Sequence, residues 1–166
     1  MASRSADGSS VIVRVARRED VPAVVRLLAD DVLGAQRERV EDPVAPVYLR
    51  AFDDMAGQSG NELLVAVRDD EIVGCLQLTI IPGLSRAGMR RAQIEGVRVS
   101  ARHRGAQVGE RLVSEAIASA RAAGCGLVQL TTDVTRADAR RFYERLGFEA
   151  THLGMKLSLA APPGRA

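Results

Sequence analysis

The sequence is poor in aromatic residues and in cysteine, and it has little excess charge of either sign. It contains no Trp, and aromatics make up 3% of its 166 residues, so Val, Leu, Ile and Ala must build the core. Cys75 and Cys125 lie far apart within apolar stretches, which argues against a disulfide framework or a zinc site and predicts two buried thiols. The net charge of +2 predicts neither nucleic-acid nor membrane binding.

Long hydrophobic segments are also missing. No apolar run reaches membrane-spanning length, and residues 1–10 lack the apolar centre of a signal peptide, so we expect a cytoplasmic protein. Lys156 is the only lysine, and such an arginine excess is typical of a GC-rich bacterial genome. The length fits one domain over residues 11–159, between flexible tails at residues 1–10 and 160–166.

Apolar periodicity predicts a mixture of strands and helices. Strands are expected at 11–15, 63–67, 72–81, 92–99, 127–132, 148–152 and 155–159. Helices are expected at 20–31 with Asp20 as the N-cap, 47–56, 108–123 and 137–146, with Gly124 and Gly147 ending the last two. The order β-α-α-β-β-β-α-β-α-β-β predicts an α/β (α+β) fold, with a mixed, largely antiparallel sheet of about seven strands and helices on both faces.

The most informative segment covers residues 97–112, where a strand runs into a turn that opens an amphipathic helix. The first amides of a helix lack internal acceptors, and Gly105 and Gly109 allow a close approach of the backbone to a ligand. With Arg102 and Arg104 nearby, this turn predicts a pyrophosphate site. The segment lacks the Gly-Lys-Ser/Thr of a P-loop and the spacing of the dinucleotide fingerprint.

Two motifs resemble those of the GNAT superfamily of N-acetyltransferases. Arg104-Gly105-Ala106-Gln107-Val108-Gly109 is similar to the family's Arg/Gln-x-x-Gly-x-Gly/Ala, with Gln107 in place of Gly. We expect that side chain to be tolerated if the backbone there is helical. Residues 139–148 resemble Ala-x-x-Phe/Leu-Tyr-x-x-x-Gly-Phe, with Arg136 where many members carry Asn.

The resemblance implies that acetyl-coenzyme A is the cosubstrate, without a metal, and that it binds in a splay between the strands ending at Val99 and Thr132. The backbone of Val97 and Val99 would pair with the pantetheine arm, and the amide of Val97 would polarise the thioester carbonyl. The expected coenzyme-binding residues are Val97, Arg98, Val99, Arg104, Gly105, Ala106, Gln107, Val108, Gly109, Glu110, Arg136, Ala139 and Phe142.

The resemblance also suggests two catalytic residues. Tyr143 lies where the family often places a general acid near the coenzyme sulfur, although it could instead be a packing aromatic. Glu95, on the same strand face as Val97 and Val99, is the candidate general base; the alternative is an exposed or salt-bridged Glu, with Arg91 or Arg98 as the partner. His103 and His152 are further candidates that also fit surface or packing roles.

The sequence therefore predicts transfer of an acetyl group to a primary amine of a small molecule or peptide. The alternatives are a non-catalytic acyl-CoA-binding sensor or scaffold, favoured by Gln107 and Arg136, and an unrelated nucleotide-binding module. The expected partners are acetyl-coenzyme A and an amine, with a homodimer as an option, and without nucleic acid or membrane. Acceptor choice is expected in residues 34–46, 47–56 and 82–88, where a cationic amine could meet Glu38, Glu41, Asp42, Asp53 and Asp54.

Overall fold

The computed structural model describes residues 10–30 and 34–159. The predicted tails, apart from Ser10, lie outside these residues, as does the expected end of the first helix at Asp31. The chain divides into two compact units, one ending at Leu130 and the other beginning at Thr131, and each is described by itself. The single domain over residues 11–159 stays a prediction.

A five-stranded mixed sheet forms the first unit. Its strands are β1 (Ile12–Val15), β2 (Asn61–Arg68), β3 (Glu71–Ile81), β4 (Arg90–Val99) and β5 (Cys125–Leu130). They lie side by side in chain order; the first four are antiparallel to their neighbours, and β5 runs parallel to β4. β5 is parallel to β4 because the helix between them carries the chain back across the sheet.

Helices join most of these strands. They are α1 (Val21–Ala29), α2 (Pro46–Ala56), the single turn α3 (Ser85–Gly88), α4 (Val108–Ala122) and, in the second unit, α5 (Ala137–Arg145). Short 3₁₀ turns cover Arg18–Asp20 and Ala101–His103. Most predicted elements are confirmed within two residues at each end, and α3 falls in the predicted 82–88 loop.

Helices of the first unit cover both faces of its sheet. On one face, α4 packs so closely that a Cβ on Gly74 would lie 2.9 Å from Leu112 and 3.1 Å from Val108. On the other face, Val24 and Leu27 of α1 join a core cluster with Val65 and Cys75. That second face also carries polar side chains, at Asn61, Gln77, Thr79, Gln93 and Gln129.

Asp20 does not cap α1 through its side chain, contrary to the prediction. Its carboxylate instead accepts two hydrogen bonds from the Arg14 guanidinium, at 2.6 and 3.0 Å, and one from the Arg17 amide at 2.7 Å. Asp20 is buried, and the hydrogen bond from Arg14 holds the pKa of its carboxyl below the usual range. A buried carboxylate is tolerated here because three donors replace its water.

The second unit contains α5 and an extended C-terminal segment. Gly147, at φ 88°, ends α5 as predicted: its amide donates to the Glu144 carbonyl and the Phe148 amide donates to the Tyr143 carbonyl. These two bonds satisfy carbonyls that the helix end leaves open.

The expected seven-stranded sheet is wrong, because the described residues form five strands. Residues 148–152 and 155–159 were predicted as the last two strands, and neither range forms one. Met155, Leu157 and Leu159 alternate as a strand would, but all three are exposed. Alternation favours a strand only where a neighbouring strand supplies backbone hydrogen bonds, and none pairs with this segment in the structure described.

Candidate active site

The edge of β4 that faces β5 opens towards its carboxyl end. The register between these strands runs from Arg90 to Ile94 on β4 and stops there, although β4 continues to Val99. Residues 95–99 therefore have a neighbour on the β3 side and no β5 partner. β5 itself ends at Leu130, the partner of Ile94, so the splay that the resemblance implied stays a prediction.

The amide of Val99 points towards the open edge. The Ser100 amide donates to the Val73 carbonyl at 2.9 Å, so it faces β3. Successive amides of a regular strand point to opposite edges, which turns that of Val99, the residue before Ser100, away from β3. An extended ligand could add to β4 at Val99 as another strand would.

A bulge in β4 includes Gly96 and Val97 and interrupts the alternation there, so the role of the Val97 amide stays a prediction. The register with β3 moves from Gln77 opposite Glu95 to Cys75 opposite Arg98, which leaves one extra residue on β4. Gly96 absorbs it with a left-handed φ of 61°. Because of this extra residue, Glu95 shares a face with Arg98, and the expectation that it shares one with Val99 is wrong.

The predicted phosphate turn is left-handed at two positions. Arg104 is extended, Gly105 has φ 80°, and Gln107, immediately before α4, has φ 59° and ψ 7°. The condition under which Gln107 was expected to be tolerated, a helical backbone, is therefore not met. A left-handed backbone suits Gly, which explains the family's Gly here and indicates that Gln107 is strained.

The amino end of α4 has no capping side chain. The first hydrogen bond within the helix runs from the Arg111 amide to the Gln107 carbonyl at 3.0 Å. The amides of Val108, Gly109 and Glu110 therefore lack an acceptor within the helix, and they lie at the positive end of its dipole. The Ala106 amide is engaged, since it donates to the His103 carbonyl at 3.3 Å.

Asp30, at the end of α1, holds the segment that leads into this turn. Its carboxylate accepts a hydrogen bond from the Ala101 amide at 3.0 Å, and its carbonyl accepts one from the Arg104 guanidinium at 3.5 Å. Arg102 pairs instead with Glu71 at 3.4 Å. Sequence reasoning missed Asp30, because its partners lie 71 and 74 residues away without a local signal.

Glu95 projects from β4 beside the open edge and is exposed. The alternative of a salt bridge with Arg91 or Arg98 is not seen: within residues 10–30 and 34–159, the Glu95 carboxylate takes part in no hydrogen bond or ion pair. Arg98 donates to the carbonyl of Val97 at 2.9 Å. Glu95 is therefore available for a proton or a ligand.

Tyr143 belongs to the second unit, together with Arg136, Ala139 and Phe142. Its half-buried ring makes edge contacts with Phe142 and Phe148, at centroid distances of 5.1 and 5.8 Å. These contacts agree with the packing interpretation and leave the hydroxyl's role untested. The coenzyme contacts of this group stay predictions.

The other reactive side chains give no second centre. Burial raises the pKa of Cys75 to about 12, so its thiol is not a nucleophile at neutral pH. Cys125 is half-buried rather than buried as predicted. His103 lies in the Ala101–His103 turn, and His152 contacts Thr151 at 2.7 Å. No group of three or more metal-binding side chains occurs among the residues described.

Residues 26–148 match the model of the Acetyltransferase (GNAT) family, and the chain belongs to this family of acyltransferases. It is 35% identical over 88 residues to aminoalkylphosphonate N-acetyltransferase of Salmonella typhimurium, a match covering 53% of this chain and 56% of that enzyme. It is 32% identical over 119 residues to glucosamine 6-phosphate N-acetyltransferase of Trypanosoma brucei brucei, covering 70% and 79%. The chain thus spans little more than half the length of the Salmonella enzyme.

Two solved structures are similar over nearly the whole chain. One, described as a transcriptional regulator from Bacillus halodurans C-125, is 49% identical with a TM-score of 0.88 and covers 90% of this chain and 100% of that one. The other, a putative acetyltransferase from Agrobacterium tumefaciens str. C58, is 28% identical with a TM-score of 0.80 and covers 89% and 99%. Among the described residues, no helix combines the length and the hydrophobicity needed to cross a membrane.

Proposed function

We propose that this chain transfers an acetyl group from acetyl-coenzyme A to a primary amine of a small molecule or peptide by direct attack of the amine. The observation that carries the proposal is that the open edge of β4, at residues 95–99, is followed closely in the chain by the uncapped start of α4. Asp30 holds the segment between them through the Ala101 amide. A pantetheine arm and a pyrophosphate need these two features in that order.

The residues present fit the coenzyme. A Cβ built on Gly105 meets nothing within 4 Å, so the turn has open space in front of it. Val108, Gly109 and Glu110 would give their amides to the pyrophosphate, and Arg104 would add charge. When bound, acetyl-coenzyme A supplies the acetyl group as a thioester, already activated for transfer.

The chain's own residues then have three tasks. The Val97 amide would donate a hydrogen bond to the thioester carbonyl oxygen, where negative charge develops. Glu95 would take the proton that the attacking amine loses, directly or through a water. Tyr143 would give its proton to the departing sulfur; this last assignment rests on the motif alone.

The two named relatives suggest where to look for the acceptor. The Salmonella enzyme is named for an aminoalkylphosphonate and the Trypanosoma enzyme for glucosamine 6-phosphate, and both molecules join an amine to a phosphorus-containing anion. The acidic residues proposed to attract a cationic amine are partly engaged, through the pairs Arg18–Asp53, Arg39–Glu41 and Tyr48–Glu38. An amine bearing a phosphate or phosphonate is therefore the first choice.

Two measurements test the proposal. Thiol release from acetyl-coenzyme A should appear with at least one amine from a panel of phosphate-bearing amines, their dephosphorylated counterparts and peptides. Acetyl-coenzyme A at a hundred times its dissociation constant should add about 2.7 kcal/mol to the free energy of unfolding. Gly109→Val should reduce that gain, because a side chain there blocks the phosphates, whereas Ser114→Val, on an exposed part of α4, should not.

The second candidate is a non-catalytic acyl-CoA-binding sensor. Gln107 and Arg136 depart from the family pattern, and the Bacillus halodurans structure is described as a transcriptional regulator. Coenzyme binding without turnover of any amine would favour this candidate. The bacterial origin, the cytoplasmic location and the homodimer also stay proposals; light scattering of the purified protein tests the last.

A further inference from the structure

A row of polar side chains crosses four strands on the sheet face opposite α4. Asn61 on β2 pairs in register with Thr79 on β3, Thr79 with Gln93 on β4, and Gln93 with Gln129 on β5. Residues that are opposite each other on neighbouring strands share a face. We call these four residues the polar row; all are half-buried, and none belongs to the apolar core cluster on the same face.

Hydrogen bonds order the row into two groups. Gln129 donates to the Gln93 side chain at 2.8 Å. Asn61 accepts from Gln77 at 2.9 Å and from Thr79 at 3.2 Å. The side chains therefore have defined positions before any ligand arrives.

Much of their hydrogen-bonding capacity is left over. A side-chain amide has two N–H donors and an oxygen with two lone pairs. The described residues contain no partner for the side-chain oxygen of Gln129. The same is true of Gln77, which lies beside the row and donates to Asn61. Asn is depleted in strands and an apolar side chain would pack better on a half-buried face, so packing does not explain four matched polar positions.

Two charged residues stand at the ends of this surface. Glu95, beside the open edge, and Arg91 both lie on the same face of β4 as Gln93, because side chains alternate along a strand. Four residues of strand separate their Cα atoms by about 13 Å. Arg91 is half-buried near Gly83 and forms no ion pair within the described residues.

We propose that the polar row is the floor of the acceptor site and selects a hydroxylated amine with an anionic group at its far end. The amino group lies at Glu95, the hydroxyl groups hydrogen-bond to Gln93, Gln129 and Thr79, and the anion pairs with Arg91. This inference rests on the proposed acetyl transfer, since it assigns the amine to the candidate base beside the coenzyme edge.

The test compares glucosamine 6-phosphate with glucosamine, which differ only in the phosphate. Arg91→Gln should raise KM for the phosphorylated amine by about tenfold or more, because the loss of one charge-assisted hydrogen bond weakens binding by that factor. The same substitution should leave KM for glucosamine unchanged. Arg90→Gln is the matched control, because the neighbouring Arg90 points to the opposite face and donates to the Ala123 carbonyl. It should leave both values unchanged.

Gln93→Leu tests the row itself. It should raise KM for glucosamine and leave KM for cyclohexylamine, which has no hydroxyl groups, unchanged or lower. Melting temperatures and the dissociation constant for acetyl-coenzyme A should match those of the wild type in every variant. Equal losses with both amines, or equal effects of Arg90→Gln and Arg91→Gln, would overturn the inference.

Calorimetric binding to the protein saturated with coenzyme A separates this inference from the proposed function. If glucosamine 6-phosphate binds without turnover, and Arg91→Gln weakens that binding about tenfold, acetyl transfer fails and the acceptor floor stands. If turnover occurs with alkylamines while glucosamine 6-phosphate neither binds nor reacts, acetyl transfer stands and the floor is wrong. Absence of any amine binding overturns both.

Discussion

Replacing Gln107 by Gly tests the strained turn in front of α4. The backbone there has φ 59° and ψ 7°, in the left-handed region. This region costs a non-glycine residue about 1–2 kcal/mol, and Gly avoids that cost. Gly also gains about 0.5–1 kcal/mol of freedom in the unfolded chain, which opposes the benefit. The difference predicts a gain of about 0.5–1 kcal/mol in the free energy of unfolding.

Urea unfolding of three variants measures this difference. Gln107→Ala keeps a Cβ, and with it the strain, so it separates the backbone effect from the loss of the Gln side chain. Gly105→Ala imposes a Cβ at φ 80° and should lower the free energy of unfolding by about 1 kcal/mol or more. The expected order of stability at position 107 is Gly above Ala, with Ala close to the wild type.

The reasoning fails if Gln107→Gly is less stable than Gln107→Ala. That order would mean that the backbone at position 107 is right-handed, as for any ordinary first residue of a helix. The family's Gly would then serve only the approach of the phosphates. A gain of about 1 kcal/mol corresponds to a rise in melting temperature of about 2–4 °C for a domain of this size, so thermal unfolding offers an independent check.

Three further predictions concern individual side chains. Glu95→Gln should slow turnover more at about pH 6 than at about pH 9, because more of the amine is already neutral at high pH; an equal loss throughout indicates positioning instead. Tyr143→Phe should reduce turnover about a hundredfold if the hydroxyl protonates the leaving sulfur, with unchanged coenzyme affinity and melting temperature; wild-type turnover removes it from the mechanism. Asp20→Asn should lower the free energy of unfolding by about 2 kcal/mol at neutral pH. Because Arg14 lowers the pKa of Asp20 in the folded state, that difference should be present above about pH 4 and disappear as the pH falls through the folded-state pKa; urea titrations that show it unchanged at low pH would contradict the assignment.

Local patterns in the sequence were enough for α1, α2, α4 and α5, for most of the turns and for the family. The periodicity of residues 108–122 and the stop at Gly124, which has φ 74°, depend on neighbours within one or two helical turns. The hairpin turn at Asp69 and Asp70, both left-handed, depends on two residues. The phosphate motif is equally local, because its helix start and its glycines are consecutive in the chain.

The polar row and the hydrogen bonds around the turn before α4 became visible only in the tertiary structure. Gln93 and Gln129 are 36 residues apart, and strand register alone sets them side by side. Asp30 reaches Ala101 because α1 ends beside the turn that follows β4.

By itself, then, the sequence determined what most segments up to residue 147 form and which family the chain belongs to, because those signals come from residues that are close in the chain. The tertiary structure decided which strands pair, where the β4–β5 register stops, and that residues 148–159 pair with no strand. It also decided that the Asp20 side chain accepts hydrogen bonds from Arg14 and does not cap α1. These features depend on contacts between segments that are distant in the chain. Such contacts become favourable only when the folded structure repays the entropy lost in bringing the segments together.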